Sequence, residues 1–298
     1  MRTSHRLAFA LATTAALCGT AGAQTPPTLD KIKASGTMTV AYRESSIPFS
    51  YLGGDTQPVG FGWEICQRVV AEVKKATGRA DLKVNHQAVT SQNRIPLLAN
   101  GTIDIECGST TNNSDRAKQV SFAINYFYTG TRFLVKADSG IKSIADLKGK
   151  KVVSTTGTTN YQLLRKLNTE QTLGFELLAA KDHAESALMV QSGRADAFGM
   201  DDILLYGLRA GAQNPAELAV VGDALQVEPY AIMVRKDDPA FKKLVDDTLA
   251  GLMKSGEFET LYKKWFQSAI PPKGINLAAP MSKELADNLK NLSDKPAL

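Results

Sequence analysis

Cysteine and histidine are scarce in this chain, with three of each in 298 residues, and tryptophan occurs twice. No two cysteines have a CxxC spacing and no His/Cys cluster occurs, so the sequence offers no ligand set for a structural zinc. So few cysteines also exclude a disulfide-held scaffold. Cys66 and Cys107 stay open at this point, either as one bridge in an oxidising compartment or as two buried free thiols. Dense Lys/Arg runs are missing too. The net charge is only +5, and no basic stripe suited to nucleic acid stands out. There is no internal repeat and no low-complexity block. Beyond the first 23 residues there is no uninterrupted apolar run of the 18 residues that would read as a bilayer span.

What is present begins with a leader. Arg2 and Arg6 precede the apolar run Leu7–Gly19, which is too short for a permanent anchor, and Ala21, Gly22 and Ala23 supply small residues for cleavage. The expectation is a signal peptide over residues 1–23, removed after Ala23, and an exported chain. Cys18 hints at lipid attachment, but the large Leu17 before it favours cleavage at Ala23. No metal or other cofactor is expected.

The remainder, in a chain that is 43% apolar and 22% charged, is large enough for two lobes. Its patterning alternates between periods of 2 and 3.6. A short helix is expected from Thr28, as cap, to Gly36, then a strand over 38–42 and a helix with Ile65, Val69 and Val73 on one face, closed by Gly78. Strands over 82–89 and 103–106 flank a helix over 94–99. A second such series runs from a short helix at Ser143 through strands at 151–154, 175–180 and 195–200, helices between them, and a strand at 218–222. This order implies parallel strands with crossover helices, an α/β class. The restart near Gly130 implies a second lobe, and the chain is expected to return to the first lobe near Glu228. The resulting division is 24–129, 130–227 and 228–298. A strand from Pro229, helices over 239–256 and 258–266 and a surface tail beyond Pro271 complete it.

The unusual side chains gather just after the strands, where open α/β sheets bind ligands. Arg43 and Ser45 follow the first strand, Ser91 and Arg94 the next, and Ser109, Thr110 and Thr111 the third. Thr158 and Thr159 follow Gly157 in the second series, as His183 and Asp201 follow its later strands. Taken singly, each has a plainer account: a solvated arginine, a hydroxyl in a turn, an aspartate capping the helix behind it. Six such groups on two lobes suggest a shared cleft. Arg43, Arg94 and Arg116 offer planar forks suited to carboxylates, hydroxyls add donors, and Asp201 is the lone acceptor suited to an ammonium. Two carboxylates and one amine describe an acidic amino acid.

The segments RESSIPFSY (43–51), TSQNRIPLL (90–98), DIECGSTTNNSDR (104–116), SGRADAFGMDD (192–202) and KKWFQSAIPPKGINL (263–277) carry a resemblance. From about Leu29 to Leu277 the chain resembles the periplasmic solute-binding proteins of amino-acid ABC importers, family 3, and within them those for glutamate and aspartate. The resemblance implies a type II fold, two α/β lobes joined by two crossover strands, closing on the ligand by a hinge. It implies a periplasmic monomer that delivers its ligand to a membrane permease, with no enzymatic activity. Arg116, with Thr111 and the helix start at Thr158 and Thr159, would hold the α-carboxylate; Asp201 and Ser109 would take the ammonium. Arg43, Ser91, Arg94 and His183 would hold the side-chain carboxylate. Where the pattern has His before Arg43 this chain has Tyr42, which a strand would turn to the opposite face. Two rivals are an exported dehydratase of the same fold, with His183 or Glu106 as acid or base, and the sensory domain of a receptor. Glutamate and aspartate carry the same groups and are not separable on these residues.

Overall fold

The computed structural model describes residues 26–297, so the leader expected over 1–23 lies outside the described residues. Helix α1, Thr28–Ser35, ends at Gly36 in the left-handed conformation that glycine adopts without strain (φ 66°). Pro27, not Thr28, holds its cap position. The Thr28 N–H is satisfied from far along the chain, donating to Asp238 Oδ2 at 2.7 Å.

Strand β1 (Thr37–Tyr42) leads through a small antiparallel sheet of β2 (Ser45–Ser46), β3 (Ser50–Leu52) and β4 (Pro58–Val59) into α2 (Phe61–Thr77). Helix α2 buries Ile65, Cys66, Val69, Val70 and Val73, the face its periodicity announces, and Gly78 closes it at φ 68°. Strands β5 (Lys83–Ala88) and β6 (Ile105–Glu106), with α3 (Arg94–Ala99) between them, pair in parallel on either side of β1. The strand expected over 103–106 is thus shorter, because β6 is only a central rung between β1 and the long strands that follow.

Strand β7 (Val120–Lys136) was not legible as a strand, since its 17 residues are buried on both faces along most of their length and show no alternation. Beyond it come β8 (Lys151–Thr155), α4 (Thr159–Glu170), β9 (Glu176–Ala180), α5 (His183–Gln191), β10 (Ala197–Asp201), α6 (Asp202–Gly211), β11 (Leu218–Val221) and β12 (Val227–Arg235). Helices α7 (Pro239–Ser255), α8 (Glu257–Phe266) and α9 (Lys283–Asn291) end the chain.

The strand order is β5-β1-β6-β12-β7-β10-β8-β9, with β11 pairing on β7. Two sets of parallel strands are therefore bridged by one antiparallel ribbon. The ribbon pairs Val120 with Arg235 at one end and Gly130 with Val227 at the other. The remaining part of β7, Thr131 to Val135, pairs with β10 in the second set. This is the two-lobed α/β arrangement, and β7 is the strand that pairs on both sides, with β12 in the first half and with β10 and β11 in the second.

Aromatic rings lock the ribbon to the first half. Phe127 stacks on Phe266 at 5.0 Å, and Phe49 meets Tyr230 edge-on at 5.1 Å. The second half has its own apolar cluster around Phe133, Val152, Leu164 and Phe175. The carboxyl-terminal tail runs over the surface as expected, and it is ordered there. It forms α9, buries Leu285 and Asn288, and is tied to β7 by side-chain amides: Asn288 Nδ2 donates to Asn125 O at 2.7 Å, and Asn125 Nδ2 to Lys295 O at 2.8 Å. Buried amides of this kind must be bonded, which fixes the tail in place.

Cys66 and Cys107 form a disulfide, with Cα atoms 5.9 Å apart. It ties α2 to the residue after β6, immediately before the Ser109 segment. The bridge spans 41 residues, between the loop lengths for which chain entropy gives ~3 and ~4.7 kcal/mol. Replacing both cysteines by serine should therefore lower the unfolding free energy by about 4 kcal/mol. Urea denaturation under oxidising conditions checks this, and an unchanged midpoint refutes it.

Candidate functional site

A narrow pocket between the two halves, with about 170 Å³ of space free of protein atoms, is lined by Ser91, Arg94, Ser109, Thr111, Arg116, Thr158, Thr159, Asn160, His183, Met200 and Asp201. Nine of the ten residues singled out in the sequence are among these; the tenth, Arg43, is buried and its Nη2 lies 3.2 Å from His183 Nε2. A larger open groove of about 1400 Å³ beside α1, α2 and α7 contains none of them. Enclosure, not size, marks the site.

Strand ends deliver these groups. Arg43 follows β1, whose last residue Tyr42 packs edge-on against Trp63 at 6.3 Å. Arg94 opens α3, His183 opens α5, and Asp201 ends β10. Thr158 caps α4, accepting from the Tyr161 N–H at 3.1 Å while donating to Thr155 O at 2.6 Å. The halves touch through these residues. Arg116 Nη1 donates to Thr111 O at 3.0 Å and Nη2 reaches across to Gly157 O at 3.1 Å. Thr111 Oγ1 lies 3.4 Å from Thr159 Oγ1, and the Ser45 hydroxyl donates to Asp182 Oδ1 at 2.7 Å.

At one end, donors outnumber acceptors. Arg94 Nη1 donates to Ser109 O at 3.3 Å, yet Arg94 Nε, Arg43 Nε, Arg43 Nη1 and the Ser91 hydroxyl are buried with no partner in the protein. Burial, and then the neighbouring Arg94, push Arg43 and Arg116 each down to about 10. Burial likewise lowers Arg94. All three remain cations near neutral pH, so the unpartnered donors favour an anion.

His183 is an acceptor here. A guanidinium can only donate, so Nε2 must accept from Arg43 and the ring proton must sit on Nδ1. From Nδ1 the chain runs onward through Thr155 Oγ1 at 2.9 Å and Ser186 Oγ at 2.9 Å to Asp182 O at 3.0 Å. Burial, with Arg43 adding to it, pushes His183 down to about 3 and keeps it neutral. It does not cap α5; the Asp182 side chain does, accepting from the Ala184 N–H.

At the other end the surplus is acidic. Asp201 does not cap α6 through its side chain. Its carboxylate accepts from Asn160 Nδ2 at 2.7 Å and from the Tyr230 hydroxyl. Burial, and then Glu228, push Asp201 up to about 8, since no protein cation is paired with it. A ligand ammonium would reverse that. Glu228 Oε2 accepts from Thr159 Oγ1 at 3.0 Å. Asn160, Met200, Glu228 and Tyr230 were missed in the sequence. Asn160 continues the Thr158–Thr159 segment and was within reach; Glu228 and Tyr230 come from β12, which carries no polar motif.

The model of bacterial extracellular solute-binding proteins, family 3, matches residues 38–268. This chain belongs to that family. Its relatives include the L-glutamate/L-aspartate-binding protein of Pseudomonas aeruginosa, 50% identical over 91% of this chain and 90% of that one. The glutamate/aspartate import solute-binding protein of Escherichia coli is 48% identical over 97% of this chain and 95% of its own. Among solved structures, a mutant of ArgBP from T. maritima superposes with a TM-score of 0.71 at 28% identity, covering 80% of this chain and 99% of that one. The family match ends before α9, whereas the alignment with the Escherichia coli relative runs over 290 residues.

The His183 relay has a spectroscopic consequence. A solvated histidine titrates near 6.5, so the neutral ring's contribution to the closed form is complete above that pH and is lost as pH falls toward 3. In nitrogen-detected NMR of the closed protein, His183 should stay neutral, with its proton on Nδ1, between pH 8 and pH 5. A midpoint near 6.5 would refute the relay.

Proposed function

We propose that this chain is the periplasmic capture component of an ABC importer for glutamate and aspartate, which closes on its ligand and delivers it to a membrane permease. The observation that carries the reading is the cluster of unpartnered buried donors on Arg43, Ser91 and Arg94, set opposite a carboxylate that lacks a cation. The names of the relatives point the same way. In this reading Arg116, Thr111, Thr158 and Thr159 hold the α-carboxylate, and Asp201 with Ser109 takes the ammonium. Arg43, Ser91, Arg94 and His183 hold the distal carboxylate. Leader removal after Ala23 and action as a monomer belong to the same proposal.

The hinge falls where the lobe boundaries 129/130 and 227/228 meet. Thr129 pairs with Glu228 and Gly130 with Val227, so both crossovers bend side by side. The ligand favours closure because only then do both lobes contact it. The function is capture without chemistry. Of the two acid–base candidates, His183 spends Nε2 on Arg43 and Glu106 does not line the cavity.

Specificity follows from the cost of leaving buried arginines without an anion. In calorimetry on protein refolded to remove carried ligand, glutamate and aspartate should bind and glutamine should bind at least ~100-fold more weakly. Arg94→Ala should cost the acids about 2–5 kcal/mol. Equal affinities for glutamate and glutamine would overturn the assignment of the distal pocket.

Closure itself is testable at Gly157. The residue has φ 76°, and a Cβ there would lie 2.5 Å from Gln92 Cα in the opposite lobe. Gly157→Ala should therefore weaken glutamate at least ~10-fold, while the left-handed alanine by itself lowers the unfolding free energy of the ligand-free protein by about 1–2 kcal/mol. Unaltered affinity would mean that the lobes do not approach this closely around the ligand.

A further inference from the structure

One buried carboxylate stands outside this account. Glu106, the last residue of β6, is fully buried yet does not line the cavity. Its Oε2 accepts from Thr110 Oγ1 at 2.6 Å; its Oε1 has no hydrogen-bond partner and lies 3.9 Å from Arg94 Nη1. The aliphatic stem of Arg43 passes nearby as well. A Cβ built on Gly108 would stand 2.1 Å from Glu106 Oε1 and 3.1 Å from Arg43 Cγ, so both side chains cross the same bare glycine. Residue 106 sits in register with Ala41, two residues before Arg43.

The other acids near the cavity differ in kind. Asp182 sits across the cleft at the cap of α5, already accepting from Ser45 and the Ala184 N–H. Asp201 and Glu228 face the opposite end, toward Asn160 and Thr159. Glu228 shares their lobe but lies at its boundary with the second and faces Thr159; Glu106, on the strand beside β1, is the acid that moves with Arg43 and Arg94 whether the cleft is open or closed.

We propose that Glu106 is a specificity-determining positioning residue, the fixed counter-charge that trims the Arg43–Arg94 pair from two positive charges to one. The distal end of the cavity is then matched to a single carboxylate. This inference rests on the acidic-ligand reading above. Burial is the main force lowering both arginines, and among the charges that oppose it Glu106 comes first for each. With this carboxylate in place an amide ligand leaves one unmatched positive charge. Without it, an amide leaves two, whereas an acid still neutralises one in a low-dielectric site.

Glu106→Gln keeps the shape and the acceptor for Thr110 and removes only the charge. Measured by calorimetry, it should raise the ratio of glutamate to glutamine affinity about tenfold. A ratio equal to the parent's overturns the proposal, even if both affinities fall together, as a purely structural role requires. Thr110→Val removes the hydrogen bond and leaves the charge; it should hold the parent ratio, and a matching rise there would assign the effect to packing and overturn the proposal. Should Glu106→Gln fail to fold, Glu106→Asp draws the charge back from Arg94 and should raise the ratio by a smaller factor, an unchanged ratio again being fatal. The parent's own ratio reports the underlying reading separately, since no preference for glutamate there removes both.

Discussion

Two guanidinium groups, of Arg94 and Arg116, line a pocket of about 170 Å³, a third, of Arg43, lies buried behind His183 in its wall, and each is stripped of water. Burying like charges so close together is among the costliest things a fold can do, and it persists only where opposite charges and hydrogen bonds answer it. The protein supplies part of the answer. Arg116 spends two donors on backbone carbonyls, one from each half, and Arg94 spends one on Ser109 O. Glu106 stands beside Arg94, and His183 turns its lone pair to Arg43. The answer is incomplete by a few buried donors at one end and by a cation at Asp201 at the other. In the function proposed above, a small zwitterion with a second carboxylate would supply what is missing, and binding and closure would become one event.

That coupling needs two bodies that move and a joint that does not drift. In that proposal the parallel sets on either side would be the bodies, and the ribbon of β7 and β12 the joint. Stacked aromatics hold one end of the ribbon to α8, and the buried amides of Asn112, Asn125 and Asn288 pin the tail along it. The Cys66–Cys107 bridge holds the segment that presents Ser109 and Thr111. Such supports place a binding group to within a fraction of an ångström, which a loop alone does not do.

The elements with a clean period were legible. The α2 stripe of Ile65, Val69 and Val73, the α4 start at Thr159 and the parallel strands β5, β8 and β9 follow from spacing and caps, as does their α/β order. The site was legible for a related reason: polar side chains repeatedly placed after apolar strands have few structural uses in such a sheet. Strand β7 was not legible, because a strand buried on both faces has no alternation to read. Helix α9 was missed although the Ser282 cap and the Lys283–Asp287 pair are local signals for it, but where it docks depends on Asn125, more than 160 residues away. Asp201 had two readings, cap or ligand acceptor, and the side-chain bonds from Asn160 and Tyr230 exclude the first.

The sequence by itself determined the α/β class and singled out nearly all the side chains around the cavity, since these follow from local periodicity and from residue chemistry at strand ends. Only the tertiary structure decided which of those groups lack partners, that Cys66 and Cys107 bond, that His183 accepts rather than donates, and that Glu106 stands behind the arginines. Each of those outcomes depends on a neighbour brought from a distant part of the chain, and hydrogen bonds and buried charges are set by that neighbour's position, not by sequence spacing.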